Sequence, residues 1–165
     1  MKKILLAIVA MFAFSLQNVN AQDEPMSISC SSPDLGVKVK RCVAAGKNIQ
    51  IDFVLTNTGD KDIERYHITE VSAFDDEGTG YKGNYPSKLS MKLPDRNNYI
   101  GAGTIDFNYA TFDMPVDVPR KFTLRIEDAN RAATSIVKVK WVIGPYAGAA
   151  ETFLIDIKNI PILRN

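Results

Sequence analysis

Few residues in this 165-residue chain are equipped for chemistry, and their spacing narrows what they can do. His67 is the single imidazole, so a hydrolytic triad would have to use it. It lies in Arg65-Tyr66-His67-Ile68-Thr69, inside an expected strand, and no Gly-x-Ser-x-Gly elbow is present to display a nucleophile. A structural role is the reading adopted for His67. One His and two Cys fall short of the three-His, two-His-two-Cys and four-Cys zinc sites. Nineteen Asp and Glu residues supply carboxylate pairs for a glycosidase by number alone, but no spacing selects one pair. No catalytic residue, metal site or cofactor is assigned, and a non-enzymatic protein is expected.

The densest group of hard oxygens is Asp75-Asp76-Glu77-Gly78-Thr79-Gly80. Asp75, Asp76 and Glu77 beside flexible glycines are what calcium requires, although the spacing is not that of an EF-hand. The same residues fit a polar hairpin turn in which Gly78 or Gly80 takes positive φ, and that reading comes first. Gly78-Thr79-Gly80 and Gly101-Ala102-Gly103 lack the rest of a dinucleotide fingerprint. Two segments have the composition of binding loops: Tyr81 with Asn84 and Tyr85, and Arg96-Asn97-Asn98-Tyr99. Tyr supplies rigid contact area and Asn adaptable hydrogen bonds. Tyr81, Arg96, Asn97, Asn98 and Tyr99 are therefore the candidate ligand-binding residues. An inferred strand order places the 75–80 turn and the 94–103 loop at one end, as a single surface.

Charge and export set the context. Twenty Lys and Arg against 19 acids give a net charge of +1, which leaves no basic field for a nucleic-acid backbone, so no nucleic-acid partner is expected. Lys2 and Lys3, the apolar run from Ile4 to Phe14, and Val19-Asn20-Ala21 read as a signal peptide over 1–21, cleaved before Gln22. That run is about half of the ~20 residues that span a bilayer. No membrane span is expected after cleavage, and the first Cys, Cys30, lies too far on to be lipidated. Cleavage removes Lys2 and Lys3 and no acid, leaving 18 bases against 19 acids and a net charge of −1. The expected location is periplasmic or extracellular, in soluble form. In an oxidising compartment Cys30 and Cys42 are expected to form a disulfide that tethers an N-terminal segment, 22–34, to the sandwich domain, 35–165. A tight hairpin at 33–36 would set Cys30 opposite Val39, so the bridge requires residues 31–36 to bulge or loop.

The elements that must position these residues are mostly strands. Ile49, Ile51, Phe53 and Leu55 alternate with Asn48, Gln50 and Asp52; Phe122, Leu124 and Ile126 alternate with Lys121, Thr123 and Arg125. Val137, Val139, Trp141 and Ile143 repeat the pattern. Further strands are read at 37–43, 66–74, 89–93, 104–112 and 153–157, with one or two helical turns at 127–134. Half-wet strands without covering helices must bury their apolar faces against each other. The expectation is all-β: an immunoglobulin-like antiparallel β-sandwich of about seven to nine strands.

Gly46-Lys47-Asn48-Ile49-Gln50-Ile51-Asp52-Phe53-Val54-Leu55-Thr56-Asn57-Thr58-Gly59-Asp60, then Ala73-Phe74-Asp75-Asp76-Glu77-Gly78 before Tyr81, and Val118-Pro119-Arg120-Lys121-Phe122-Thr123-Leu124-Arg125-Ile126 resemble the bacterial secreted immunoglobulin-like domains of the telokin-like type. The resemblance covers most of 35–157 and implies a non-catalytic module. Cys30 and Cys42 are too close in sequence to be the inter-sheet pair of antibody domains. The function expected is binding, to a protein or glycan partner. The alternatives are a small secreted carboxylate-dependent hydrolase and a cell-surface structural or assembly subunit.

Overall fold

A computed structural model describes residues 24–83, 88–148 and 151–164. The expected signal peptide and the candidates Asn84 and Tyr85 lie outside the described residues. Among those described, the strands are β1 (Ser27–Cys30), β2 (Leu35–Ala45), β3 (Asn48–Asn57), β4 (Ile63–Asp75), β5 (Gly80–Lys82), β6 (Leu89–Lys92), β7 (Ile100–Gly101), β8 (Phe112–Met114), β9 (Arg120–Ile126), β10 (Ser135–Pro145), β11 (Phe153–Pro161) and β12 (Leu163–Arg164), with a short helix α1 (Ile105–Tyr109). They form two packed six-stranded sheets. The first has the order β1-β11-β10-β4-β5, with β8 also on β4; the second has the order β12-β2-β3-β9-β6-β7. The all-β sandwich is as expected, with more strands than seven to nine because several edge pieces span only two or three residues. Pairing is antiparallel except at β12, where Leu163 lies parallel to Val43, and at an isolated bridge between Asn57 and Val116.

The alternating sequences do what their period demands. Gly46-Lys47 joins β2 to β3 as a two-residue turn, with Ala45 opposite Asn48 and Gly46 at φ 62°, a conformation that suits glycine. In the next ladder Ile51 faces Leu124 and Phe53 faces Phe122. These side chains, with Ile49, Leu55, Ile126, Val139, Trp141 and Ile143, are buried. Val137 is the exception among the expected core residues. The β10–β4 ladder shifts register between Ile136 and Lys138, so Ile136 is buried in its place and Val137 is only half-buried. A bulge moves one residue out of phase and thereby exchanges the faces on either side of it.

Three other expectations are corrected. Residues 104–112 are not one strand: Thr104 caps α1 by accepting the Phe107 N–H (3.3 Å), Asp106 occupies its first turn, and β8 starts only at Phe112. The expected helical turns at 127–134 are bends and turns instead. The Cys30–Cys42 disulfide is not formed, and both thiols are free. Residues 31–34 carry the chain between sheets, leaving Cys30 opposite Ile155 in the first and Cys42 opposite Ile51 in the second. Burial pushes the Cys42 thiol up to about 12, with Arg164 opposing the rise, so it stays protonated and unreactive at neutral pH. Segment 27–30 is joined to the sandwich by backbone pairing with β11 rather than by a covalent bridge.

Candidate ligand-binding site

The outer face of the second sheet follows from the same alternation. With Ile49, Ile51, Phe122 and Leu124 turned inward, Gln50, Asp52, Lys121, Thr123 and Arg125 face outward. The loop after β6 lies against this face. Its ends are fixed by buried Leu93 and Ile100, and Asp95 adopts φ 60°, which Asp tolerates better than most residues. The Arg125 guanidinium sits over the Tyr99 ring at 5.6 Å, and the Tyr99 hydroxyl points to Gln50 Oε1 at 3.5 Å. Tyr99, held by these contacts, and Arg96 line two depressions in common and form the ridge between them. On one side is a cleft of about 320 Å³ lined by Gln50, Lys92, Arg96, Tyr99, Arg120 and Lys121. On the other is a groove of about 440 Å³ lined by Arg96, Asn98, Tyr99, Thr104, Asp106 and Tyr109.

Asp52 holds the floor of the cleft together. It faces outward yet is buried. Its carboxylate accepts from Thr123 Oγ1 (2.8 Å), Gln50 Nε2 (3.1 Å) and Arg41 Nε (2.6 Å), with Lys121 Nζ at 3.5 Å. Burial opposes ionisation of Asp52, but the bonds from Thr123, Arg41 and Gln50 and the charge of Lys121 outweigh it, and its pKa lies below the ordinary 3.8. A carboxyl depressed on folding stabilises the fold above its unfolded pKa, and that stabilisation is lost as pH falls through the folded value. Between pH 5 and pH 2 the melting temperature of the unmodified chain should therefore fall more steeply than that of Asp52→Asn. Parallel slopes in a thermal-melt series would show that the network does not favour the carboxylate.

The other candidates sit elsewhere. The 75–79 turn lies beside the start of β10, since the Asp76 N–H donates to the Ser135 carbonyl (3.2 Å). Strand β6 begins at that same end, Leu89 opposite Ile126, and runs away from it to Lys92 opposite Thr123. The turn and the 93–99 loop are thus at opposite ends and do not make one surface. The inferred order fails because β5 stops after three residues, and the next described strand, β6, lies in the other sheet. Tyr81 is buried: its hydroxyl donates to Asp75 Oδ2 (2.7 Å) and accepts the Asn130 N–H (3.0 Å), so it is no ligand contact. Asp75 Oδ1 accepts the N–H groups of Glu77 (3.1 Å) and Thr79 (2.7 Å), while Asp76 binds the N–H groups of Thr134 and Ser135. Glu77 is exposed, and Gly78 takes φ 79° as the turn requires. No three or more His, Cys, Asp or Glu side chains among the described residues are placed to hold a metal ion.

Arg96, Asn98 and Tyr99 line the depressions, whereas Asn97 is exposed and lines neither. His67 Nδ1 meets the Asn108 carbonyl at 2.7 Å; a carbonyl only accepts, so this nitrogen carries the proton. Its ring stands edge-on to Tyr146 at 5.8 Å. Sequence reading missed Lys92, Arg120, Lys121 and Tyr109. The first three were visible only as the wet faces of strands, and Tyr109 stood within a segment read as a strand. No helix among the described residues is long and apolar enough to cross a membrane. No protein-family model matches the chain, and no curated protein matches it.

Proposed function

We propose that this chain is an exported, non-catalytic, immunoglobulin-like module that binds a glycan through the Tyr99 ridge and its two flanking depressions. The observation that carries this reading is the placement of Tyr99 and Tyr109 in one groove whose other polar side chains are an amide, a hydroxyl, a carboxylate and a guanidinium. Sugar rings present apolar faces to aromatic rings and hydroxyls to such polar groups. A protein partner would favour a broad apolar centre. Of the exposed large apolar side chains, Ile105 and Tyr109 share α1, while Ile28, Leu154 and Leu163 lie on β1, β11 and β12 and Val118 on the loop before β9; only Tyr109 of the exposed set lines the groove. Export is supported by the charged, apolar and small-residue order of residues 2–21.

The test is affinity electrophoresis and calorimetry of the chain against a panel of soluble polysaccharides. Tyr99→Ala should weaken binding by about 1 kcal/mol or more, as interface anchors do, with little change in melting temperature. Asn97→Ala should change binding by less than about 0.5 kcal/mol, the range of a peripheral contact. Binding unaffected by Tyr99→Ala would remove the ridge from the site.

A further inference from the structure

The cleft beside the ridge is strongly cationic for a nearly neutral chain. Lys92, Arg96, Arg120 and Lys121 line it against one carboxylate, Asp95. Lys121 leans on Asp52 beneath the floor, and among the described residues Lys92 and Arg96 have no carboxylate within ion-pair distance. Arg120 is well enclosed, with its side chain only 18% exposed. Its Nη2 donates to Asp95, whose own side chain is 76% exposed on the loop. Its Nε–H is buried and has no hydrogen-bond partner. A guanidinium offers Nε–H and one Nη–H as a parallel fork that matches the two oxygens of a carboxylate. Asp95 uses half of that fork.

Resting on the glycan-binding reading above, we propose that the cleft is a carboxylate subsite, so that the ligand is a uronic-acid-containing polysaccharide. A uronate takes the Arg120 fork with both oxygens, and Asp95 is the internal carboxylate that holds the place until it arrives. Lys92 and Arg96 supply the surrounding field. The adjacent uronide rings run over the Tyr99 ridge into the groove, which is why the cationic cleft and the tyrosine-lined groove share Tyr99 and Arg96.

Calorimetry with polygalacturonate, its carboxyl-reduced neutral counterpart and poly-glutamate tests this, with melting curves for every variant. The expected result is binding of polygalacturonate alone, weakened about tenfold or more by Arg120→Gln and tightened about threefold by Asp95→Asn, because removing the resident charge frees the fork. Binding should also weaken as salt is raised. If Arg120→Gln is unstable, Asp95→Asn still decides, since a merely structural Arg120–Asp95 pair predicts weaker or unchanged binding. Equal binding of the neutral polymer, lost in Tyr99→Ala, would overturn the carboxylate subsite and leave glycan binding standing. Equal binding of poly-glutamate, insensitive to Tyr99→Ala, would overturn the polysaccharide as ligand, and no binding of any polymer would overturn both readings.

Discussion

Phe53→Ala is expected to lower the unfolding free energy by about 4 kcal/mol, the transfer and cavity cost of deleting a buried aromatic ring. Phe53 has no solvent exposure; it stands opposite Phe122 in the β3–β9 ladder, and its ring meets Trp141 of the other sheet at 4.5 Å and 69°, edge to face. It therefore joins the two sheets at their centre. Trp141 and Phe122 are equally buried and sit 5.8 Å apart, so neither can collapse into the space left without breaking its other contacts. Leu124→Ala should cost about 3 kcal/mol by the same argument. Lys138→Ala is the control: its partner Asp156 lies at 3.1 Å, but both side chains retain access to solvent, and such a pair contributes under about 1 kcal/mol. Urea unfolding of the three variants checks the ordering. Similar losses in all three would mean that the inward and outward faces are wrongly assigned.

The core was legible wherever one face of a strand is buried without interruption. Residues 49–55 and 120–126 kept their alternation because their ladder has no register shift. Val137 departs from the pattern because it is itself the extra residue of the bulge, where β10 advances two residues against one of β4, and nothing in the local sequence announces that mismatch between two strands. The α1 helix had a local signal, Thr104 followed by Asp106, but it was outweighed by apolar and aromatic neighbours that suit a strand equally well. The disulfide was inferred from compartment and number, and both are blind to which sheet each cysteine enters. The candidate site divides in the same way. Arg96, Asn98 and Tyr99 stood out by composition, whereas Lys92, Arg120 and Lys121 become a site only because the 93–99 loop folds against the outer face of β9. Tyr81 has a binding-loop composition around it and is nevertheless interior, because its hydroxyl is the acceptor and donor that two other segments need.

That interior role makes the second large effect. Asp75→Ala should destabilise the chain by about 3 kcal/mol, the range in which removing one partner strands several buried polar groups. Asp75 is 1% exposed, and its two oxygens accept the Glu77 and Thr79 N–H groups and the Tyr81 hydroxyl. An alanine satisfies none of them, and the Tyr81 hydroxyl, still accepting from Asn130, loses the Asp75 oxygen to which it donates. Glu77→Ala, at an exposed position of the same turn, should be neutral within about 0.5 kcal/mol. A double-mutant cycle with Tyr81→Phe should return a coupling of about 1 kcal/mol or more, since the two side chains act through one bond. The same variants separate the two sequence readings of this stretch. A calcium ion held by Asp75, Asp76 and Glu77 would stabilise the fold by mass action, so millimolar calcium would raise the melting temperature and Glu77→Ala would abolish the rise. A carboxylate that is 1% exposed and turned onto two backbone N–H groups and a phenol presents no open face to a hydrated cation. The melting temperature is therefore expected to stay the same with and without calcium, and a calcium-dependent rise would overturn the assignment of Asp75 as the clasp of its own turn.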